Sequence, residues 1–194
     1  MIKYDPTYSQ LLGNIKTAVS TAQQQAAMAV NSRLLFAYWQ VGNLILTEQL
    51  KQGWGAKVID QLASDLADAF PSMKGFSRRN LIYMQKFASE WPTSLFVQQP
   101  AAQIESDSLE TSSIVQHLAA QFQAFENHPV SRVPWSHHMM LLDKLETPAQ
   151  RLFYCNKNRD NNWSRKVLLN QLDRQLYLQQ GALPNNFEST LPKT

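Results

Sequence analysis

The chain has 194 residues, 44% hydrophobic and 17% charged, with a formal net charge of +3. These figures describe a globular chain and exclude disorder and collagen, and no apolar run approaches the roughly 18 residues that a membrane span needs. One cysteine, Cys155, cannot form an internal disulfide, and no signal-peptide pattern opens the chain, so a reducing cytoplasm is the expected setting.

Six glycines and few β-branched alternations argue against an all-β protein. The expected fold class is all-α, a helical bundle. Tyr8, Leu11, Leu12, Ile15 and Val19 recur at helical spacing and open a long amphipathic helix. Ala18 to Val30 is rich in Ala and Gln, strong helix formers of little bulk, so a partner can approach closely. Leu34, Leu35, Tyr38, Val41, Leu44 and Ile45 restore a wide apolar stripe. Unbroken through Asn31-Ser32, this element runs about 40 residues, or roughly 60 Å at 1.5 Å per residue. That exceeds the reach of a small core, so a helix–helix partner is expected, a homodimer through this helix being one form.

Gly53 and Gly55 punctuate the chain. Val58, Ile59, Leu62, Leu66 and Phe70 predict a second amphipathic helix closed by Pro71, and Phe76 to Trp91 a third, followed by Pro92. Residues 93–131 have the composition of a polar, acidic insertion, in which Ile114, Leu118, Phe122 and Phe125 keep one face of a short helix apolar. Three more helices follow, Ser136 to Leu145, Pro148 to Asn156 and Arg165 to Gln180, with Thr147 as a cap before Pro148 and Gly181 as a stop. The expected organisation is a long helix plus a helix-turn-helix-like unit over 1–92, the insertion over 93–131, a C-terminal helical subdomain over 132–181 that packs on the first, and a loose tail over 182–194.

Charge is unevenly spread. Residues 1–73 balance at five basic and five acidic side chains, and 74–91 carry four basic to one acidic. Residues 92–131 have no Lys or Arg against Glu105, Asp107, Glu110 and Glu126, whereas 132–181 return to eight basic against four acidic. Two basic blocks around an acidic one point to a polyanion-facing surface, although most charge runs are simply solvated faces.

One local pattern occurs three times: Phe76-Ser77-Arg78-Arg79, Trp135-Ser136-His137-His138 and Trp163-Ser164-Arg165-Lys166. Each reads as an aromatic, an N-cap serine and two cationic or titratable residues. Leu81, Met140 and Leu168 stand five positions after the aromatics, the spacing of a hydrophobic staple. Capping and stapling explain the aromatic and the serine. They do not explain the bases, since a helix N-terminus favours acids by roughly 0.3–1 kcal/mol. A phosphate docked at each start would turn that penalty into attraction, while exposed Arg and Lys tolerating the position at small cost is the plainer reading.

The second and third predicted helices, joined through residues 71–75, form a helix-turn-helix-like unit. Arg78, Arg79 and Asn80 occupy the first turn of its second helix, with Tyr83 and Lys86 further along. Arg reads guanine and Asn reads adenine in the major groove. Ordinary bundles contain similar helix pairs, and Leu81, Met84, Phe87 and Ala88 are core positions.

Catalytic patterns are missing. No Asp or Glu is followed two residues later by Lys, the spacing that places a metal-binding carboxylate beside a lysine in restriction-type nucleases. His117, His128, His137 and His138 form neither HExxH nor an i, i+4 pair, and no Walker loop, GxGxxG or GxSxG is present. Cys155, beside Leu152 and Phe153, is expected to be a buried structural thiol. No catalytic residue, metal ligand or cofactor is expected.

Ala29-Val30-Asn31-Ser32 with Leu35, Tyr38-Trp39-Gln40-Val41-Gly42, and Gly75-Phe76-Ser77-Arg78-Arg79-Asn80-Leu81 with Met84 and Phe87 occur in a distinctive order. Trp135-Ser136-His137-His138, Leu141-Leu142, Arg151, Phe153-Tyr154 and Trp163-Ser164 follow. In this order the chain resembles the N-terminal domain of the bacterial YhcG-type family, a domain of unknown function, over most of Thr7 to Gln180 apart from the insertion. The resemblance implies a helical, nucleic-acid-binding domain that usually precedes a PDDEXK-type nuclease domain, hence a nuclease domain or nuclease partner. The chain departs from full-length members by stopping near Leu183 to Pro192, so nuclease activity is not expected within it.

The leading expectation is a DNA-binding, target-locating module for double-stranded DNA. Arg78, Arg79 and Asn80 would enter the major groove with Tyr83 alongside, His137, His138, Arg165 and Lys166 would contact phosphates, and Lys74 and Lys86 would assist electrostatically. The rival is a helical protein-interaction or oligomerisation module built on the N-terminal helix. An RNA ligand is a third reading, weakened by the deep, narrow major groove of A-form helices.

Overall fold

The computed structural model describes residues 5–53, 56–96 and 111–181, which hold eight α-helices and no strand. Helix α1 runs Pro6–Gln52, 47 residues without a break at Asn31-Ser32. The Asp5 carboxylate caps its start by accepting from the Thr7 N–H at 2.8 Å, and Gly53 closes it in the left-handed conformation at φ 64°. Next come α2 (Ala56–Ala69), α3 (Arg78–Glu90), α4 (Thr111–Asn127), α5 (Trp135–Lys144), α6 (Pro148–Asn161), α7 (Arg165–Asp173) and α8 (Leu176–Gly181). Short 3₁₀ turns occupy Thr93–Leu95 and Pro129–Arg132. Among the described residues, no helix is long and apolar enough to cross a membrane.

The C-terminal half of α1 and the whole of α3 form the axis of the bundle. Gly42 explains how closely they approach. A Cβ there would sit 2.1 Å from the Met84 carbonyl oxygen and 2.8 Å from the Ala88 Cβ, so only hydrogen fits between the two helices. Around this crossing, Tyr38, Ile45, Leu81, Met84 and Ile59 of α2 make one apolar cluster. Leu35, Phe36 and Trp39 face a larger one that includes Phe87, Phe125, Leu141, Tyr154 and Leu168. Trp39 also donates its indole N–H to the Trp91 carbonyl at 2.6 Å, tying α1 to the end of α3. Arg151 of α6 pairs with Glu90 of α3, with both side chains largely buried.

Three elements differ from the sequence expectation. Residues 93–131, expected as a polar insertion, feed the main core: Phe96, Phe122, Phe125 and Val130 are buried, and Phe36 packs its ring against both Phe122 and Phe125. The expected helix Arg165 to Gln180 is two helices, because Gln175 adopts φ 53°. That turn brings Tyr177 back onto Phe153 and lets its N–H reach the Tyr154 hydroxyl at 3.2 Å, which a straight helix would not allow. Finally, α5 starts one residue early, with Pro134 as N-cap and no side-chain cap, so Ser136 lies inside the first turn. Thr147 does form the expected cap, in a full capping box with Gln150, and Cys155 is fully buried.

Candidate nucleic-acid interface

The three repeated helix starts come together. Arg79 of α3, Ser136, Asp143 and Lys144 of α5, and Arg165 and Lys166 of α7 line one open cleft of about 740 Å³, floored by Met139, Met140 and Leu169. Helix α5 forms its base, and the first turns of α3 and α7 form its rims. Four cationic side chains face a single carboxylate across it.

Local chemistry sets each rim. At α3 the Ser77 hydroxyl accepts from the Asn80 N–H at 3.4 Å, and at α7 the Ser164 hydroxyl accepts from the Val167 N–H at 3.3 Å. Leu81 and Leu168, the apolar residues of these two staples, are completely buried. The caps and staples orient the helix starts, and the basic side chains that follow the serines are left exposed. Arg165 and Lys166 make no ion pair among the described residues. Arg79 donates to the Tyr83 hydroxyl at 3.5 Å, and that hydroxyl donates to Asp143 at 2.5 Å. Hydrogen bonding to Tyr83, with the charges of Tyr83 and Asp143, raises the Arg79 pKa further above its already high value. Lys144 spans to Asp173 at 2.9 Å in an exposed pair.

Several residues expected to touch nucleic acid instead build the cleft. The Asn80 amide is used at both ends: its N–H₂ donates to the Gly75 carbonyl at 2.5 Å and its oxygen accepts from the Trp135 indole at 2.7 Å. It thereby ties the start of α3 to the start of α5, with both ends of the amide engaged within the protein. Tyr83 is 7% exposed, with its hydroxyl committed to Asp143. His137 is buried, its Nε2 3.1 Å from the Trp163 carbonyl, which ties α5 to the start of α7. Asn158 donates to the same carbonyl at 3.2 Å. His138 is 2% exposed, its Nε2 bonded to the Val130 carbonyl at 2.9 Å and its ring edge-on to Phe87.

Burial lowers the pKa of both histidines, that of His138 to about 4, so the expected cationic phosphate contacts are neutral core groups near pH 7. For His137 the Trp163 hydrogen bond opposes the shift and the charge of nearby Arg165 adds to it. Burial also drives the Cys155 thiol up to about 12, so it stays protonated.

The remaining candidates lie around the cleft's outside. Arg78 points towards α2 and pairs with Asp60 at 2.5 Å in an exposed contact. Lys86 is exposed, with its ammonium 5.6 Å from the centre of the Tyr83 ring, and Lys74 is exposed in the α2–α3 connection. Helix α3 packs against α1, α2 and α5, and Arg78, Arg79, Lys86 and Ser89 are its exposed residues. Asp143 and Lys144 were missed by sequence reasoning. They sit two turns into α5, and only the folded contact with Tyr83 marks Asp143 as part of the site. Among the described residues, no group of three or more His, Cys, Asp or Glu side chains could hold a metal ion.

No curated protein and no solved structure matches the chain. Residues 14–179 match a family model described as the DUF1016 N-terminal domain, a span that includes all three helix starts and most of α1. The chain belongs to the DUF1016 N-terminal domain family.

Proposed function

We propose that the chain is a DNA-binding, target-locating module that grips the phosphate backbone of duplex DNA in the cleft between the starts of α3, α5 and α7. The observation that carries this reading is the convergence of Arg79, Lys144, Arg165 and Lys166 on one open cleft. Phosphate contacts position a protein on a duplex without reading its sequence, and convergent Arg and Lys beside helix starts suit them. The fixed ties through Asn80 and His137 favour a preorganised spacing between the cationic groups. In this reading the chain supplies location, and a nuclease domain or partner, as the family resemblance implies, supplies cleavage.

The test is fluorescence anisotropy with a duplex of about 25 base pairs, titrated across roughly 50–200 mM salt, where each phosphate contact adds about −0.9 to the slope of log K against log[salt]. The Arg165→Ala, Lys166→Ala double variant is expected to bind more weakly and to flatten the slope by up to about 1.8, with its circular dichroism unchanged. Absence of binding at the lowest salt, or an unchanged slope in the variant, would overturn the assignment.

A further inference from the structure

The N-terminal half of α1 is helical and projects from the body, meeting the described residues only near its base, where Gln24, Ala27 and Met28 line a crevice with Arg132, Pro134 and Trp163. Every residue from 6 to 30 is exposed, including Tyr8, Leu11, Leu12, Ile15 and Val19, and burial begins only at Asn31-Ser32. Asn31 marks the junction, donating to the Ser131 carbonyl at 3.1 Å. Within this arm Tyr8, Leu12, Ile15, Val19, Ala22, Ala26 and Ala29 follow one another at alternating steps of four and three. This is the seam of a left-handed coiled coil, kept through three heptads.

The seam is not an extension of the core face. The line through the buried Gly42, Trp39 and Leu35 continues down the helix as Asn31, Met28, Gln24, Thr21, Thr17, Gly13 and Gln10, which is polar but for Met28. The apolar seam therefore runs along the opposite side of α1 and faces away from the body. A partner helix can lie on it clear of the described residues of the body.

We propose that the occupant is the same arm of a second copy, packed antiparallel as a two-stranded coiled coil. Two observations select a second copy. The first is a taper: the seam is bulky near the tip and all alanine near the body. A two-fold interface must be self-complementary. In the antiparallel register Leu12 meets Ala29, Ile15 meets Ala26 and Val19 meets Ala22, so a large side chain faces a small one in each layer. A parallel pair would stack large on large at one end and leave an alanine gap at the other.

The second observation is charge and extent. Lys16 is the one charged residue between Pro6 and Ser32, so the arm offers a charged partner little, and in the antiparallel register Lys16 stands opposite Gln25 and not opposite its own copy. An arm of about 25 residues is roughly 37 Å long, and half its lateral surface is on the order of 700 Å², close to the ~800 Å² per partner of a standard stable interface.

Sedimentation of the full chain across the micromolar range is the test. The expected result is a concentration-dependent species of twice 22.2 kDa. Ile15→Glu with Val19→Glu is expected to abolish it, while Thr17→Glu with Thr21→Glu, on the polar side, leaves it intact. Near-ultraviolet circular dichroism of the body serves as the folding control for both. Orientation is read by mixing an Ile15→Cys chain with an Ala26→Cys chain: crosslinking in the mixture and in neither chain alone is the antiparallel result. A monomer at every concentration would overturn the proposal, whether the seam is then open to a thiol dye at Ile15→Cys or shielded by the chain's own tail. A dimer indifferent to the seam substitutions, or Ile15→Cys crosslinking with itself, would overturn the surface or the orientation respectively.

Discussion

In the second half of α1, Leu35, Phe36, Trp39, Gly42 and Ile45 are buried against α3 and the core; in the first half, every residue from 6 to 30 is exposed. One backbone thus supports two kinds of helix. The packed half contains Phe, Tyr, Trp and a close-approach glycine, residues of modest or poor helix propensity, and its helicity rests on tertiary contacts. The free half is rich in Ala and Gln, and its helicity rests on the backbone ladder and the Asp5 cap. The apolar stripe changes sides between the two, which shows that two separate surfaces, and not one long core face, are written into α1.

The same substitution in the two halves is the strongest way to test that contrast. Gly42→Ala drives a Cβ into the Met84 carbonyl, and α1 and α3 must part. The expected cost is at or above the ~3 kcal/mol upper end of ordinary overpacking, seen as a large loss of denaturant midpoint or failure to fold. A cost below about 1 kcal/mol would mean that the crossing is looser than described.

Acid should separate the halves next. The His138 pKa falls from 6.5 unfolded to about 4 folded, so the folded state favours the neutral ring. Its contribution is whole above pH 6.5 and is lost as pH falls towards 4, on the order of 3 kcal/mol in all. Chemical denaturation at stepped pH should therefore show the body weakening across that window, while the arm, which contains no histidine, keeps its helical signal. A His138→Gln chain should lose most of that pH dependence.

The smallest effect sharpens the comparison from the other side. A Cβ at Gly13 meets nothing within 4 Å, so Gly13→Ala should strengthen the arm helix by about 0.5–1 kcal/mol, read as a rise in far-ultraviolet helicity. Loss of helicity would place Gly13 in a contact that the isolated chain does not make.

Periodicity made most of the helices legible. The 3.6-residue stripes of α1 to α3 and the aromatic–serine starts of α3 and α7 are local patterns, and local patterns survive in a sequence. The switch of face within α1 was harder to see, because both halves are apolar at helical spacing and only their phase differs. Phe96, Phe122 and Phe125 were hidden by the acidic, polar composition around them, and the break at Gln175 carries no glycine or proline to signal it.

The candidate site divides in the same way. Arg79, Arg165 and Lys166 were legible as bases at helix starts. Asn80, Tyr83, His137 and His138 looked like their companions because a polar side chain in the first two turns reads the same whether it faces water or a neighbouring helix. Three of them are engaged by backbone carbonyls, of Gly75, Trp163 and Val130, and no side-chain pattern records a carbonyl.

The continuity of α1 has a mechanical consequence. Helices kink at proline, at glycine or where a side chain breaks the ladder, and between Gly13 near the tip and Gly42 at the crossing α1 has neither proline nor glycine. The helix is a lever without a joint, clamped where Gly42 meets Met84. A load on the tip acts over roughly 37 Å, against a gripped length nearer 20 Å at 1.5 Å per residue. Torque applied to the arm is thus delivered, with gain, to α3, the helix whose first turn carries Arg79 into the cleft.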